Sequence, residues 1–141
     1  MGQMVLDRSE AADDAVLHLP ESGCEVRAGR ATHGRPALEV YAGGSLYDVA
    51  VAGGLGSGLI RGAVRGRGRG RRWSLAWGEL PPGRNEVTVV FRSGRRVRPA
   101  ACRVVAGRFW VAETAGGFRS VQVADGASTS STRLGRRALR G

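Results

Sequence analysis

The sequence predicts an all-β, antiparallel sandwich of eight or nine short strands with little or no helix. Apolar residues alternate with polar or small ones over short runs, and turn residues break those runs roughly every 8–12 positions. The one stretch that approaches helical spacing, residues 7–17, keeps it poorly. Connections this short pair neighbouring strands antiparallel, and many short strands close into a sandwich or barrel.

The elements follow in order. Residues 15–19 (AVLHL) form the first extended run, ended by Pro20. Cys24 to Ala28 alternates apolar with charged residues. Residues 37–41 set Leu38 and Val40 against Glu39, and residues 46–52 put Tyr47, Val49 and Val51 on one face. Trp73, Leu75 and Trp77 share a face of the next strand, which Pro81-Pro82-Gly83 breaks. Val87, Val89 and Phe91 point inward with Thr88 outward, and Ser93-Gly94 marks a hairpin turn. Residues 96–106 read as an uneven strand broken by Pro99. Phe109 and Val111 oppose Trp110 and Ala112; then Val121 and Val123 share a face up to Asp125-Gly126. The expected organisation is a mobile acidic arm (1–14), one domain (15–126) with an Arg/Gly-rich loop at 61–72, and a disordered basic tail (127–141).

Charge is divided unevenly. Residues 1–60 hold four arginines and eight carboxylates; residues 61–141 hold eighteen arginines and four carboxylates. Six arginines fall within RGAVRGRGRGRR (61–72), with no acid among them. Such a block seeks a polyanion or stays solvated. Every basic residue is arginine, which fits GC-rich codon usage; the clustering, rather than the missing lysine, points to anion binding. Arg65, Arg67, Arg69 and Arg71 alternate with glycine, so in an extended chain they share a face about 6.6–6.8 Å apart, a spacing that suits successive phosphates. The candidate polyanion-binding residues are Arg61, Arg65, Arg67, Arg69, Arg71, Arg72, Arg133, Arg136 and Arg137. A solvated hairpin tip, or compensation of the acidic first half, is the plainer reading of the same block. Trp73 follows it and is a candidate for base stacking, although its shared face with Leu75 and Trp77 favours the core.

Catalytic patterns are lacking. His18 sits in an apolar run, as a core or edge residue rather than a base. No Gly-x-Ser-x-Gly surrounds Ser57, and no lysine completes a phosphate loop after the glycines of 53–58. The spacing of His, Cys and carboxylates suits neither zinc nor calcium. Two cysteines, Cys24 and Cys102, are too few for a disulfide scaffold, and whether they pair is open. The acidic start MGQMVLDRSEAADD is unlike a signal peptide, and no run reaches the roughly 20 apolar residues of a membrane helix. The expectation is a cytoplasmic, non-enzymatic module without cofactor, metal, membrane or small-molecule substrate. It engages a protein partner, itself, or a polyanionic surface; nucleic acid, bound by the arginine block and basic tail, is the alternative.

Residues 73–125 carry a resemblance. An aromatic strand ending in Trp-Gly leads to Leu-Pro-Pro, a Val-Thr-Val strand, a Ser-Gly-Arg hairpin and a Gly-Arg-Phe-Trp-Val strand. This order resembles small immunoglobulin-like β-sandwich modules of uncharacterised proteins from high-GC bacteria, with Ser93-Gly94 where those carry Asp-Gly. The resemblance implies a sandwich and no active site. Trp73 lies 49 residues after Cys24, so the Cys–Trp spacing of antibody domains is absent.

Overall fold

The computed structural model describes residues 16–53, 58–68 and 70–136. The expected arm at 1–14 lies outside them. Within them the chain forms thirteen strands, no α-helix, and one 3-10 turn at Thr32–Gly34. The strands are β1 (Val16–His18), β2 (Glu25–Arg30), β3 (Pro36–Ala42), β4 (Ser45–Val51), β5 (Gly62–Gly68), β6 (Arg71–Glu79) and β7 (Thr88–Ser93). They continue with β8 (Arg96–Ala100), β9 (Arg103–Val105), β10 (Phe109–Ala115), β11 (Ser120–Ala124), β12 (Thr129–Arg133) and β13 (Gly135–Arg136). The all-β antiparallel sandwich is observed, with more strands than counted from sequence and with a third layer.

A front sheet runs β1-β2-β3-β4, a central sheet β13-β5-β6-β10-β9, and a back sheet β12-β11-β7-β8. All pairs are antiparallel except β13 with β5. Each face of the central sheet closes a core of its own. Trp73, Leu75, Trp77, Phe109 and Val111 face the front sheet's Val26, Leu38, Val40 and Ala50. Ala76, Trp110 and Ala112 face Val89, Phe91, Val121 and Val123 of the back sheet. This is why β6 and β10 are buried on both faces and lack a polar row. Cys24 belongs to the front core and Cys102 packs against the back one, and neither is in a disulfide. They lie on opposite sides of the central sheet, which rules out the disulfide.

Two expectations change here. Val49 and Val51 do not line the core, whereas Tyr47, at a register irregularity, packs edge-on against Trp77 with ring centroids 6.2 Å apart. Register pairs the inward Leu38 and Val40 with Ala50 and Asp48, across an irregularity between Val40 and Tyr41. Asp48 turns in because its carboxylate accepts the Trp77 indole N–H at 3.0 Å. Val49 is left exposed. The run at 96–106 splits at Ala101-Cys102 into β8 of the back sheet and β9 of the central one. Pro99 is tolerated because β8 is an edge strand.

The stretch expected as an Arg/Gly-rich loop is instead the β5–β6 hairpin. Register sets Gly66 opposite Trp73 and Gly62 opposite Trp77. A Cβ at either glycine would run into the facing indole. Glycine is therefore required where the tryptophans lie across β5. The residues between, Ala63, Arg65 and Arg67, occupy the back-facing row. The Arg-Gly alternation is thus a period-two strand pattern, glycine to the front core and arginine to the back. The basic tail is ordered in part as well. Thr129–Arg133 joins the back sheet, and the buried Leu134 then carries the chain to β13 at the edge of the central sheet. Burying that leucine contributes about 2 kcal/mol, enough to hold a short strand.

Gly66→Ala should lower stability by about 2 kcal/mol through the clash with Trp73, seen as a fall of roughly 8 °C in melting temperature. Gly58→Ala, where a Cβ meets nothing within 4 Å, should change stability by less than about 0.5 kcal/mol. Equal melting temperatures for the two variants would show that the indole–glycine contact does not constrain the hairpin.

Candidate polyanion interface

Strand direction places the arginines. β6 begins, and β5 ends, at the turn around Gly70, so Arg67 pairs with Arg72 and Arg65 with Ser74. Arg65, Arg67 and Arg72 share the back-facing side. β13 lies parallel to β5 and sets Arg136 beside Arg65. In the back sheet, β7 ends and β11 begins at the same end of the molecule, where Arg92 pairs with Ser120 and Ser120 with Arg133. Arg119 stands one residue before β11. Five strands and the residue before a sixth therefore deliver arginines to one end.

The loop between β10 and β11 floors this region. Buried Ser74 donates its hydroxyl to the Gly116 carbonyl (2.9 Å) and accepts the Phe118 N–H (3.0 Å). The Gly116 N–H donates to the Arg72 carbonyl at 2.8 Å. Gly117, having no side chain, leaves room for the Arg72 stem. Phe118 fills the back core, and the guanidiniums of Arg96 and Arg98 lie 4.5 and 5.7 Å from its ring centroid. On the other side, the Leu134 N–H donates to the Arg119 carbonyl at 2.9 Å, which fixes the crossing from β12 to β13.

Two open clefts result. One, of about 350 Å³, is lined by Arg65, Arg67, Arg72 and Arg136 with Gly66 and Gly117. The other, of about 530 Å³, is lined by Arg65, Arg92, Arg119 and Arg133 among smaller residues. Arg65 is common to both. Among the described residues neither lining contains a carboxylate. Among the described residues the seven arginines make no ion pair. Arg65 donates to the Phe118 carbonyl at 3.4 Å, and Arg92 to the Gln122 side chain at 2.9 Å. Directly opposed like charges, as at Arg67 and Arg72, destabilise a sheet.

The carboxylates of this half of the chain lie elsewhere. Glu79 ends β6, Glu86 precedes β7 and Asp125 follows β11, all remote from the arginine end. Hydrogen bonds from the Ser128 and Ala127 backbone N–H groups hold the Asp125 carboxyl below its usual range. Glu113 turns to the front layer and accepts the N–H groups of Glu21 and Ser22 at 2.7 and 2.9 Å. Burial pushes the Cys102 thiol above its ordinary value, which keeps it protonated.

Of the sequence candidates, Arg65, Arg67, Arg72, Arg133 and Arg136 are brought together. Arg61 is not: its Nη1 donates to the Val51 carbonyl at 2.9 Å and lies 3.7 Å from Glu79, with the side chain 15% exposed. Arg71 is exposed but falls on the opposite row from Arg72, outside both clefts. Arg69 and Arg137 lie outside the described residues. Arg92 and Arg119 were missed, since each stands outside the clusters and only register reveals its neighbours. Trp73 is 1% exposed in the front core, so it offers no face to a base; its indole N–H has no hydrogen-bond partner. His18 is an exposed edge residue, 2.9 Å from Glu25.

Together these features define a class: a three-layered all-β protein with a concave, arginine-lined end. No protein-family model, curated protein or solved structure matches the chain. Among the described residues no helix is long and apolar enough to cross a membrane.

Because Arg67 faces Arg72 without an acid, Arg67→Thr should stabilise the fold by about 0.2–1 kcal/mol at low salt, the gain fading as salt rises. Arg61→Ala should destabilise it by about 1–2 kcal/mol at any salt. Chemical denaturation of both variants at low and high salt checks the pair; a destabilised Arg67→Thr would contradict the assignment.

Proposed function

We propose that this protein is a non-catalytic β-sandwich binding module whose arginine end engages a polyanion or polyanionic surface. The observation that carries the reading is the convergence of seven arginines on two adjoining clefts where, among the described residues, they meet no carboxylate. Natural folds neutralise a charge cluster of this kind unless a ligand does so. Guanidinium groups bind phosphate, sulfate or carboxylate bidentately. They remain protonated at all physiological pH values and so supply no general base, which favours binding over catalysis. Nucleic acid is one member of the ligand class.

A second reading, a protein partner, draws on the front sheet. Val16, Leu46 and Val49 are exposed there, and β4 is an edge strand of seven residues. An exposed edge accepts a partner strand.

Fluorescence anisotropy with a labelled polyanion, across a salt series, tests the leading reading. The native chain should bind with a steep salt dependence, about 0.7–0.9 log units of affinity per phosphate contact. Combined Arg65→Ser, Arg67→Ser, Arg72→Ser and Arg136→Ser should weaken binding at least 100-fold at low salt and flatten the slope by about 3–4. Equal binding by native and variant chains would remove the arginine end from the function and direct attention to the front sheet.

A further inference from the structure

Resting on that reading, we infer that the arginine end takes a flexible, unbranched phosphate chain and holds it through the phosphates alone, without reading bases. The ligand is an extended single strand of nucleic acid or an inorganic polyphosphate, which share this chemistry.

The first ground is shape. The clefts of about 350 and 530 Å³ meet at Arg65, one between the β5–β6 hairpin and β13, the other at the end of the back sheet. Arg67 and Arg72 stand at one extreme and Arg92 at the other. A chain lying along this path turns from the central layer onto the back layer. A duplex is stiff over about 150 base pairs and does not bend into a concavity of this size. A single strand or polyphosphate bends at every linkage.

The second ground is spacing. Arg65 and Arg67 stand two residues apart on one strand, about 6.6–6.8 Å, and Arg72 and Arg136 flank them on neighbouring strands about 4.8 Å away. Phosphates of one continuous chain meet such a lattice in succession, each within reach of two guanidiniums.

The third ground is what the site lacks. Proteins that hold single strands by their bases stack them on exposed aromatic rings. Here Trp73, Trp77, Trp110, Phe91, Phe109 and Phe118 are all buried. Tyr41 and Tyr47 belong to the front sheet, on the far side of the central layer. Among the described residues the cleft linings supply guanidinium donors, glycines, two serines and Leu134, and no amide or carboxylate side chain to pair with an adenine or cytosine edge.

The test uses the full chain and four labelled probes of matched phosphate number. These are a 20-nucleotide oligothymidylate, an abasic strand of the same length, a 10-base-pair duplex and an inorganic polyphosphate of about 20 phosphates. Heparin serves as a phosphate-free polyanion. The expected result is binding of the abasic strand within about threefold of the oligothymidylate, displacement of both by polyphosphate, and a duplex at least tenfold weaker. The salt slope for single strands should lie between about −3 and −5, and Arg65→Ser should cost more than Arg92→Ser because it serves both clefts. Tighter binding of polyphosphate than of the abasic strand identifies the inorganic chain; the reverse identifies nucleic acid. An abasic strand weaker by tenfold, a duplex as tight as the single strand, or binding of heparin alone would overturn the inference while leaving a polyanion module in place. Failure of every probe, heparin included, would sink the underlying reading itself.

Discussion

Everything else in this molecule is arranged around two indoles lying across a strand. Trp73 and Trp77 close the front core, and each covers the β5 residue paired with it. That contact leaves no room for a side chain at Gly62 or Gly66. The length that β5 presents is then confined to its other row, which holds Ala63, Arg65 and Arg67. Seating the tryptophans and displaying the arginines are one constraint expressed on the two faces of one strand. The central sheet must also be apolar on both sides, since a layer packs on each. β6 and β10 meet that demand apart from buried Ser74 and Thr114, and Ser74 fixes the floor of the arginine end.

The electrostatic arrangement argues against simple self-neutralisation. The front sheet's carboxylates are committed locally. Glu25 meets His18, Asp48 accepts from Trp77, and Glu39 accepts from Arg27 and Tyr41 at 2.8 Å each. Those hydrogen bonds, Arg27's above all, hold the Glu39 carboxyl below its usual range. At the opposite end of β6, Glu79 is shared by Arg61 and Arg108. Arg27, Arg61 and Arg108 are paired in this way. Among the described residues the seven of the clefts are not, and Arg67 and Arg72 oppose each other directly across a strand pair, where repulsion is felt most. A fold keeps such local conflicts chiefly where a ligand resolves them.

Much of the core was legible in the sequence, because strands that bury one or both faces advertise themselves by apolar alternation. Trp73 to Trp77, Val87 to Phe91 and Val121 to Val123 all behave as their spacing indicates. The signal fails where burial is carried by small or polar residues. β4 turns Asp48 and Ala50 inward and leaves the more apolar Val49 outside, because a partner for Trp77 and a bulge outweigh hydrophobicity. β5 was hidden for a related reason: glycine has no hydropathy to alternate, so a strand that packs tryptophans resembles a loop. The C-terminal strands were hidden because one residue, Leu134, anchors them within a polar stretch. Arg61 looked equivalent to its neighbours in the block, and only the position of Val51 and Glu79 across the layer removes it from the surface.

Holding arginines on strands rather than in a loose Arg-Gly segment changes what binding costs. A disordered segment must be ordered when it meets its ligand, at roughly 1–2 kcal/mol per residue. Here backbone pairing has already fixed β5, β6 and β13, so only side-chain rotamers remain to be restrained, at about 0.5–1.5 kcal/mol each. The same sequence pattern that elsewhere signals a flexible tail therefore yields a preformed surface. Its concavity also selects by shape, which charge alone cannot do. Leu134 completes that logic. By carrying the chain from the back sheet to the central one, it sets Arg133 and Arg136 on either side of Arg65 and joins two layers' charges into one continuous site.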